Sequence, residues 1–419
     1  MNRRGASQLN DFQKLMRRWA ELGPYNAGHV MSVTGAADVE RWRSAIIAVL
    51  REIGVDALEQ FSIAVCSEEL DKKVAQELNK PFRAGDCSLR AFVIADASDH
   101  HFIGVVFDHW FADSASMRLL MHRFFLSYRS VDGAHGLSPL QLGTADGDGI
   151  LDAGKSAFGG LAALIACLRS YWRHRRAHRV RLGDPLDFRA DFFSMSFPNG
   201  SVDRIRAGAR TFNATVNDFF LAAAAQVLGA RTSVARLNAK RNRIGLATAV
   251  DLRPRAGEGL HDVFGFFLSY FTVVLDHPEK ESFEDLTRAI AEETGTLKAK
   301  AHPIRFILGL RIARVLWDAF RKPRRKAQLF QKMLPLVAGV SNVNLTGSWV
   351  DRDDTTASDP RVIDYLRVSP VGPLLPLVFT LTTIRDRLSL SVTYRTTAFS
   401  RIEAEQIARD FVARLLNVE

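Results

Sequence analysis

Residues 108–114, with the sequence Asp-His-Trp-Phe-Ala-Asp-Ser, hold the side chains in this chain that are best suited to chemistry. His109 and Asp113 form the pattern His-x-x-x-Asp, and histidine is the commonest general base near neutral pH. The spacing also fits a histidine held by local hydrogen bonds and an aspartate that caps a helix. A third interpretation is a pair of metal ligands on one helix face, but no further ligand cluster lies nearby.

The elements on either side of this motif predict where it lies. Residues 102–107 are apolar and rich in β-branched residues, which indicates a short buried strand. Ser114 and Ser116 are good helix N-cap residues, and apolar residues follow them at helical spacing. His109 is therefore predicted in a tight loop between a strand and a helix, where its side chain can face a cavity.

Length and composition bound the class of protein. The chain has 419 residues, of which 47% are hydrophobic, and this indicates a globular protein with a substantial core. Its three cysteines are scattered and form no C-x-x-C pair, which argues against a disulfide framework and fits a reducing compartment. Neither a signal region nor a stretch of membrane-spanning length is present, so we expect a cytoplasmic location.

The net charge of +10 is concentrated in residues 169–181, around Trp172, and in residues 311–326. Both segments adjoin apolar helical patterns. They fit an anionic membrane surface, an acidic carrier protein, a phosphorylated cofactor, or simply a solvated basic face. No nucleic-acid-binding signature accompanies the charge, so we expect no nucleic-acid partner, while peripheral contact of the basic helices with a membrane stays open.

The order of predicted elements indicates a pseudo-duplicated α/β architecture. Residues 133–160 are rich in glycine and are predicted to form a loop between two halves that alternate strands and helices. Residues 149–156 match the P-loop expression literally. A P-loop needs a buried strand directly before it, and residues 143–148 cannot form one, so we interpret the match as accidental.

Several segments resemble, in order, the condensation-domain superfamily of acyltransferases, which includes chloramphenicol acetyltransferase, peptide-synthetase condensation domains, wax ester synthases and polyketide-associated acyltransferases. These segments are residues 24–30, 79–90, 108–114, 215–221, 250–253 and 340–343. His109 and Asp113 match the second histidine and the aspartate of the family motif His-His-x-x-x-Asp-Gly. Asp108 replaces its first histidine, and Ser114 replaces its glycine.

This resemblance implies an α/β fold with two chloramphenicol acetyltransferase-like subdomains, arranged as a V-shaped pseudo-dimer around a central tunnel. Residues 1–180 would form the first subdomain and residues 181–419 the second. The implied activity is transfer of an acyl group from a thioester to a small-molecule alcohol or amine. Coenzyme A or the phosphopantetheine arm of an acyl carrier protein would carry the donor, with no covalently bound cofactor and no metal.

The resemblance also implies roles for individual residues. His109 would be the general base, and Asp113 would hold the loop through an ion pair with Arg253. Ser341 and Asn342 fall at a segment that could donate to the oxyanion or line the pocket, or that bonds only locally at a strand end. The two departures, Asp108 and Ser114, are expected in the substrate pocket. The alternative function is a catalytically degenerate domain that recruits a carrier protein or another partner.

Overall fold

The structure is a computed structural model, and it describes most of the chain. The described residues are 9–55, 58–83, 85–95, 99–130, 140–143, 157–236, 240–256, 259–299, 302–347 and 360–417. The P-loop-like residues 149–156 lie outside these ranges, and so does most of the predicted glycine-rich loop.

The described residues form three sheets. The strands are β1 (Asn26–Thr34), β2 (Ile63–Cys66), β3 (Leu89–Ala95), β4 (His100–Asp108), β5 (Gln141–Leu142), β6 (Ala190–Ser196), β7 (Arg243–Asp251), β8 (Val263–Phe264), β9 (Leu268–Asp276), β10 (Ala338–Asn344), β11 (Val362–Val368), β12 (Leu377–Ile384) and β13 (Arg387–Arg395). The first sheet has the order β11-β1-β4-β3-β2, the second has the order β6-β13-β12-β10-β7-β9, and β5 pairs with β8.

Helices cover these sheets. They are α1 (Asp11–Ala20), α2 (Val39–Glu52), α3 (Leu70–Asn79), α4 (Ser114–Arg129), α5 (Ala157–His174), α6 (Ser201–Thr211), α7 (Val216–Arg236), α8 (Arg253–Ala256), α9 (Phe283–Ala299), α10 (His302–Ala319), α11 (Pro323–Ala327), α12 (Leu329–Met333) and α13 (Arg401–Leu416). Side-chain caps define several of their starts: Asn10 caps α1 and Ser400 caps α13, each within a reciprocal capping box.

The strand and helix predicted around the motif are present as β4 and α4, and β4 pairs antiparallel with β3. The prediction that residues 133–160 form only a loop is too broad. Residues 141–142 form β5 against β8, and α5 begins at Ala157. Glycine lowers helix propensity without forbidding a helix.

The first sheet contains one strand from the second half of the chain. β11 lies late in the sequence, yet it pairs antiparallel with β1 at the edge of the first sheet, where Arg367 is opposite His29. The sequence pattern does not predict this strand. The boundary at residue 180 stays a prediction, but the first sheet draws one strand from beyond it.

An aromatic core lies between the halves and unites α1 with elements from residue 266 onward. Trp19 packs edge-on against Tyr25 and Phe330, with ring centroids 5.1 and 5.2 Å away, and Phe12 packs against Phe266 at 5.7 Å. Trp19 and Phe12 are each 1% exposed. Each such side chain contributes on the order of 2–3 kcal/mol through burial. Two residues of this core, Tyr25 and Phe266, also contact the His109 ring.

Candidate active site

His109 follows the last residue of β4 and lies in an aromatic enclosure. Its backbone N–H donates to the Tyr25 carbonyl at 3.1 Å. The rings of Tyr25, Phe107 and Phe266 surround the imidazole, with centroids 5.8, 6.1 and 6.2 Å away. The residue is 6% exposed, and Nδ1 has no hydrogen-bond partner among the described residues. The ring is thus held by packing more than by polar contacts.

The protonation state of His109 follows from that enclosure. Burial lowers its pKa to about 4, and the nearby charge of Asp113 opposes the shift without reversing it. The imidazole is therefore unprotonated at neutral pH, as a group that accepts a proton must be.

Asp113 caps α4 and holds Arg253 from the second half of the chain. Its Oδ1 accepts from the Ser116 N–H at 2.8 Å and from Arg253 Nη2 at 3.1 Å. Its Oδ2 accepts from Arg253 Nη1 at 2.9 Å and from the Phe267 N–H at 2.7 Å. Both side chains are nearly inaccessible, so the carboxylate takes four donors in place of water. The structure brings together the two residues that the resemblance paired.

The Asp113–Arg253 cluster extends to Ser116 and Asp251. Arg253 Nη2 donates to Ser116 Oγ at 2.7 Å, and Ser116 Oγ donates to the Gly265 carbonyl at 2.6 Å. Asp251, at the end of β7, accepts from Arg253 Nη1 at 3.1 Å. Arg253 therefore contacts two carboxylates, and the start of α4 is tied to the segment between β7 and β9.

The Asp108 carboxyl contacts the indole of Trp110. Its Oδ2 accepts from Trp110 Nε1 at 2.8 Å, and its Oδ1 is buried without a partner. Burial raises its pKa to about 6, and the charges of Arg17 and Arg90 offset part of this rise. The half-buried carboxyl is thus partly protonated near pH 6.

Ser114 lies at the centre of a second charged group, which we call the Ser114 cluster: Ser114, His29, Arg118 and Arg367. Its Oγ is 3.4 Å from His29 Nε2, 3.3 Å from Arg118 Nη1 and 3.5 Å from Arg367 Nη1. His29 Nδ1 is also 2.6 Å from the Tyr365 hydroxyl. Burial, helped by Arg367, lowers the pKa of His29 well below its usual range, so this imidazole is neutral.

Ser341 and Asn342 lie on β10 and differ in their contacts. Ser341 Oγ accepts from Arg367 Nη1 at 3.0 Å, and its carbonyl accepts from Arg367 Nη2 at 3.1 Å. Asn342 Oδ1 is buried without a hydrogen-bond partner. Ser341 therefore joins β10 to the Ser114 cluster.

Sequence reasoning missed His29, Arg118 and Arg367. His29 lies within residues 24–30, which carried part of the resemblance, but nothing local marks it as a polar contact of Ser114. Arg118 reads as a polar position on an amphipathic helix. Arg367 lies on β11, the strand that the pattern does not predict, so no signal in the sequence connects it to the motif.

The basic segment around Trp172 is exposed on α5. Ile165, Leu168 and Trp172 are 41, 50 and 58% exposed, and they lie three and four residues apart on the helix. The Arg175 guanidinium stacks over the Trp172 ring at 4.4 Å. This surface combines apolar and cationic groups outside the His109 enclosure.

Comparison with known proteins identifies the fold. No family model matches the sequence, and no curated protein matches it at a significant level. The condensation domain of the Monacolin K polyketide synthase MokA is 14% identical and superposes with a TM-score of 0.67, covering 98% of this chain and 96% of that one. This chain has the condensation-domain fold.

Two further solved structures share the condensation-domain fold over almost their whole length. Polyketide synthase associated protein 5 from Mycobacterium tuberculosis is 12% identical with a TM-score of 0.68, covering 98% of this chain and 97% of that one. The X-domain from teicoplanin biosynthesis is 18% identical with a TM-score of 0.63, covering 98% and 94%. The predicted α/β fold of two chloramphenicol acetyltransferase-like subdomains is thereby confirmed.

The described residues form neither a cluster of metal ligands nor a helix that could span a membrane. No group of three or more His, Cys, Asp or Glu side chains converges as metal ligands within the described part of this condensation-domain fold. None of the described helices combines the length and the apolar character needed to cross a membrane.

Proposed function

We propose that this chain is an acyltransferase that moves an acyl group from a thioester to a small-molecule alcohol or amine, with His109 as the general base. The observation that carries the proposal is an unprotonated histidine in an apolar enclosure, four residues from the Asp113 carboxylate. That carboxylate is already bound by Arg253 and by two backbone N–H groups. Such an arrangement separates a group that exchanges protons from a group that only holds the loop.

The reaction needs one proton acceptor and no covalent enzyme intermediate. His109 takes the proton of the acceptor O–H or N–H as the acceptor attacks the thioester carbonyl carbon. The tetrahedral oxyanion then collapses, the C–S bond breaks, and the imidazolium returns the proton to the departing thiolate. Burial disfavours the imidazolium, and the nearby Asp113 charge stabilises it. The aromatic enclosure also excludes water, which would otherwise hydrolyse the thioester.

Donors for the oxyanion come, in this proposal, from β10. Ser341 Oγ accepts from Arg367, and its own O–H can therefore donate to a substrate oxygen. The amide of Asn342 is the second candidate donor, and its buried Oδ1 has no partner among the described residues. Preorganised donors of this kind stabilise developing negative charge in acyl transfer.

The proposed donors, acyl-coenzyme A and an acyl carrier protein, are both anionic, and the net charge of +10 favours either of them. The exposed surface around Trp172 and Arg175 is the proposed docking place for a carrier protein, with an anionic membrane as the other anionic partner. Converting Arg175 and Arg176 to Glu is expected to lower turnover of carrier-bound donors at about 0.1 M salt. Unchanged carrier-dependent turnover would remove this assignment.

The test of the general base is His109→Ala, assayed with a panel of acyl thioesters and with alcohols and amines as acceptors. Loss of the base should lower kcat about 100- to 10,000-fold. Exposed His261→Ala is the matched control and should keep full turnover, and circular dichroism should show both variants folded. Equal turnover in His109→Ala and the wild type would overturn the assignment.

A recruitment module is the second candidate function. The similar X-domain from teicoplanin biosynthesis has been solved in complex with OxyB, so a domain of this fold can present a surface to a protein partner. The chain of that complex that is similar to this protein is 17% identical to it and superposes with a TM-score of 0.59. If the wild type turns over no thioester in the panel while it binds a carrier protein, recruitment replaces catalysis as the function.

A further inference from the structure

We propose that the Ser114 cluster binds a carboxylate group of a substrate beside His109. The cluster places two guanidinium groups and a neutral imidazole around one serine hydroxyl. The proposal rests on the proposed acyl transfer only because it assigns the carboxylate to a substrate of that reaction. Binding of the carboxylate can be tested without turnover.

The first argument is charge. Arg253 takes both nearby carboxylates, Asp113 and Asp251, at 2.9 and 3.1 Å. Neither Arg118 nor Arg367 makes an ion pair with any carboxylate of the described residues, and all their hydrogen bonds go to neutral oxygens. The Asp113 and Asp251 charges act on Arg118 only from a distance. Buried charges are normally paired, so the buried Arg367 guanidinium with Arg118 beside it favours an anion at this place.

The cost of this arrangement appears at Arg367, which is 2% exposed. Burial and, after it, the like charge of Arg118 lower its pKa to about 9. Five hydrogen bonds to Ser114, Ser341, Thr382 and the Leu381 carbonyl hold the guanidinium in place without neutralising it. A bound anion would relieve the repulsion between the two arginines.

The second argument is access. Ser114, Arg118 and Ser341 are only partly buried, whereas Arg367 and His29 are buried behind them. The partly exposed edge of the cluster can therefore meet a ligand. A planar guanidinium fork matches the two oxygens of a carboxylate, and the Ser114 hydroxyl supplies a third donor.

The third argument is position. The rings of His29 and His109 both contact the ring of Phe107, with centroids 5.9 and 6.1 Å from it. Ser114 Oγ is 3.4 Å from His29 Nε2, so the cluster and His109 share Phe107 as a neighbour. The phosphates of a pantetheine donor are separated from the thioester by the whole arm, so a carboxylate close to the reacting centre fits this position better.

Hexanoate and its neutral analogue hexanamide test the binding of a carboxylate by calorimetry at about 0.15 M salt, which screens the exposed charges of this basic chain. We expect hexanoate to bind the wild type at least tenfold more tightly than hexanamide. Arg118→Met should remove that preference, and Arg118→Lys should restore part of it. Exposed Arg409→Gln is the matched control and should change neither affinity.

His109→Ala should keep the preference for hexanoate, because the cluster does not use His109. Equal affinities of the wild type for the two probes, or a preference that survives Arg118→Met, would overturn the proposal. If the wild type prefers hexanoate but turns over no thioester, the carboxylate site stands and the proposed acyl transfer fails.

Turnover then distinguishes the two sources of the carboxylate. A glutaryl thioester against a pentanoyl thioester, with a neutral acceptor, tests the acyl group. An amino acid against its amide, with a neutral donor, tests the acceptor. In the arm that supplies the carboxylate, Arg118→Met should raise KM for the acidic substrate at least tenfold and leave KM for the neutral one unchanged. No KM change in either arm would overturn the assignment to a substrate.

Discussion

Asp113 and Ser114 are adjacent in sequence, but they belong to two clusters with opposite charge balance. Asp113 joins Arg253 in an ion pair in which every oxygen of the carboxylate has donors. Ser114 joins Arg118 and Arg367, whose partners are all neutral. Each cluster includes residues that are more than 100 positions apart in the chain: Asp113 with Arg253, and Ser114 with Arg367.

This difference separates structural charge from charge that is available to a ligand. A buried ion pair with satisfied hydrogen bonds resists removal of either partner, because the remaining charge would be left uncompensated. A buried cation with only neutral partners already bears that cost in the free protein. The first cluster should therefore determine stability, and the second should determine what binds.

The largest expected effect is on the paired cluster. Arg253→Met leaves the buried Asp113 carboxylate with only its two backbone donors, and it should lower the free energy of unfolding by about 3–5 kcal/mol. Urea denaturation at pH 7 measures this. The double variant that adds Asp113→Asn should be less destabilised than Arg253→Met alone, since the uncompensated charge is gone. A double variant that loses the sum of both single effects would contradict the comparison.

The effect of intermediate size is on the pH dependence of stability, to which Asp108 and its neighbour His109 contribute with opposite signs. Their pKa values shift in opposite directions. The pKa of Asp108 is raised to about 6, so the folded chain holds its proton and stability falls as pH rises toward 6. The pKa of His109 is lowered to about 4, so the unfolded chain holds the proton and stability rises with pH from about 4 toward 6.5. Between pH 4 and 6 the two contributions oppose each other.

Asp108→Asn should uncover the contribution of His109. Relative to the wild type, this variant should gain on the order of 2–3 kcal/mol of stability as the pH is raised from about 4 to 6. Urea denaturation at several pH values, with both proteins in the same buffers, measures the difference. A difference that stays constant across this range would show that the Asp108 carboxyl titrates normally.

The smallest expected effect is on the unpaired cluster. Arg118→Met removes a partly buried charge that has one side-chain hydrogen bond, to Ser114. We expect the free energy of unfolding to stay the same or to rise by about 1 kcal/mol, because less charge is buried. Thermal unfolding compared with exposed Arg409→Gln measures this. Destabilisation as large as that of Arg253→Met would show that Arg118 is structural.

Much of the local structure around the motif could be predicted from the sequence. The apolar run 102–107 is a strand, and the cap that begins α4 is present, although Asp113 and not Ser114 supplies it. The pair of Asp113 with Arg253 was predicted only through the resemblance, since 140 residues separate the two side chains. Periodicity predicts single elements, but it carries no information about which distant elements meet.

His29 and Arg367 show where such prediction ends. His29 bonds Tyr365, which is 336 residues away, and Arg367 lies opposite His29 only because β11 crosses to the first sheet. β11 does not show the alternation of polar and apolar residues that marks an exposed strand. Its Tyr365 and Arg367 contact other buried polar groups, His29 and Ser341 among them. Its side chains are satisfied by partners that no local pattern specifies.

The sequence by itself determined the residue types of the motif, the strand and helix that present them, and a composition suited to a large α/β core. Only the tertiary structure decided that Asp113 is compensated while Arg118 and Arg367 are not. Charge compensation depends on distances between residues far apart in the chain, and on the burial that lowers the dielectric around them. For that reason the chemistry of His109 could be predicted from its motif, whereas the carboxylate site beside it could be inferred only from the folded chain.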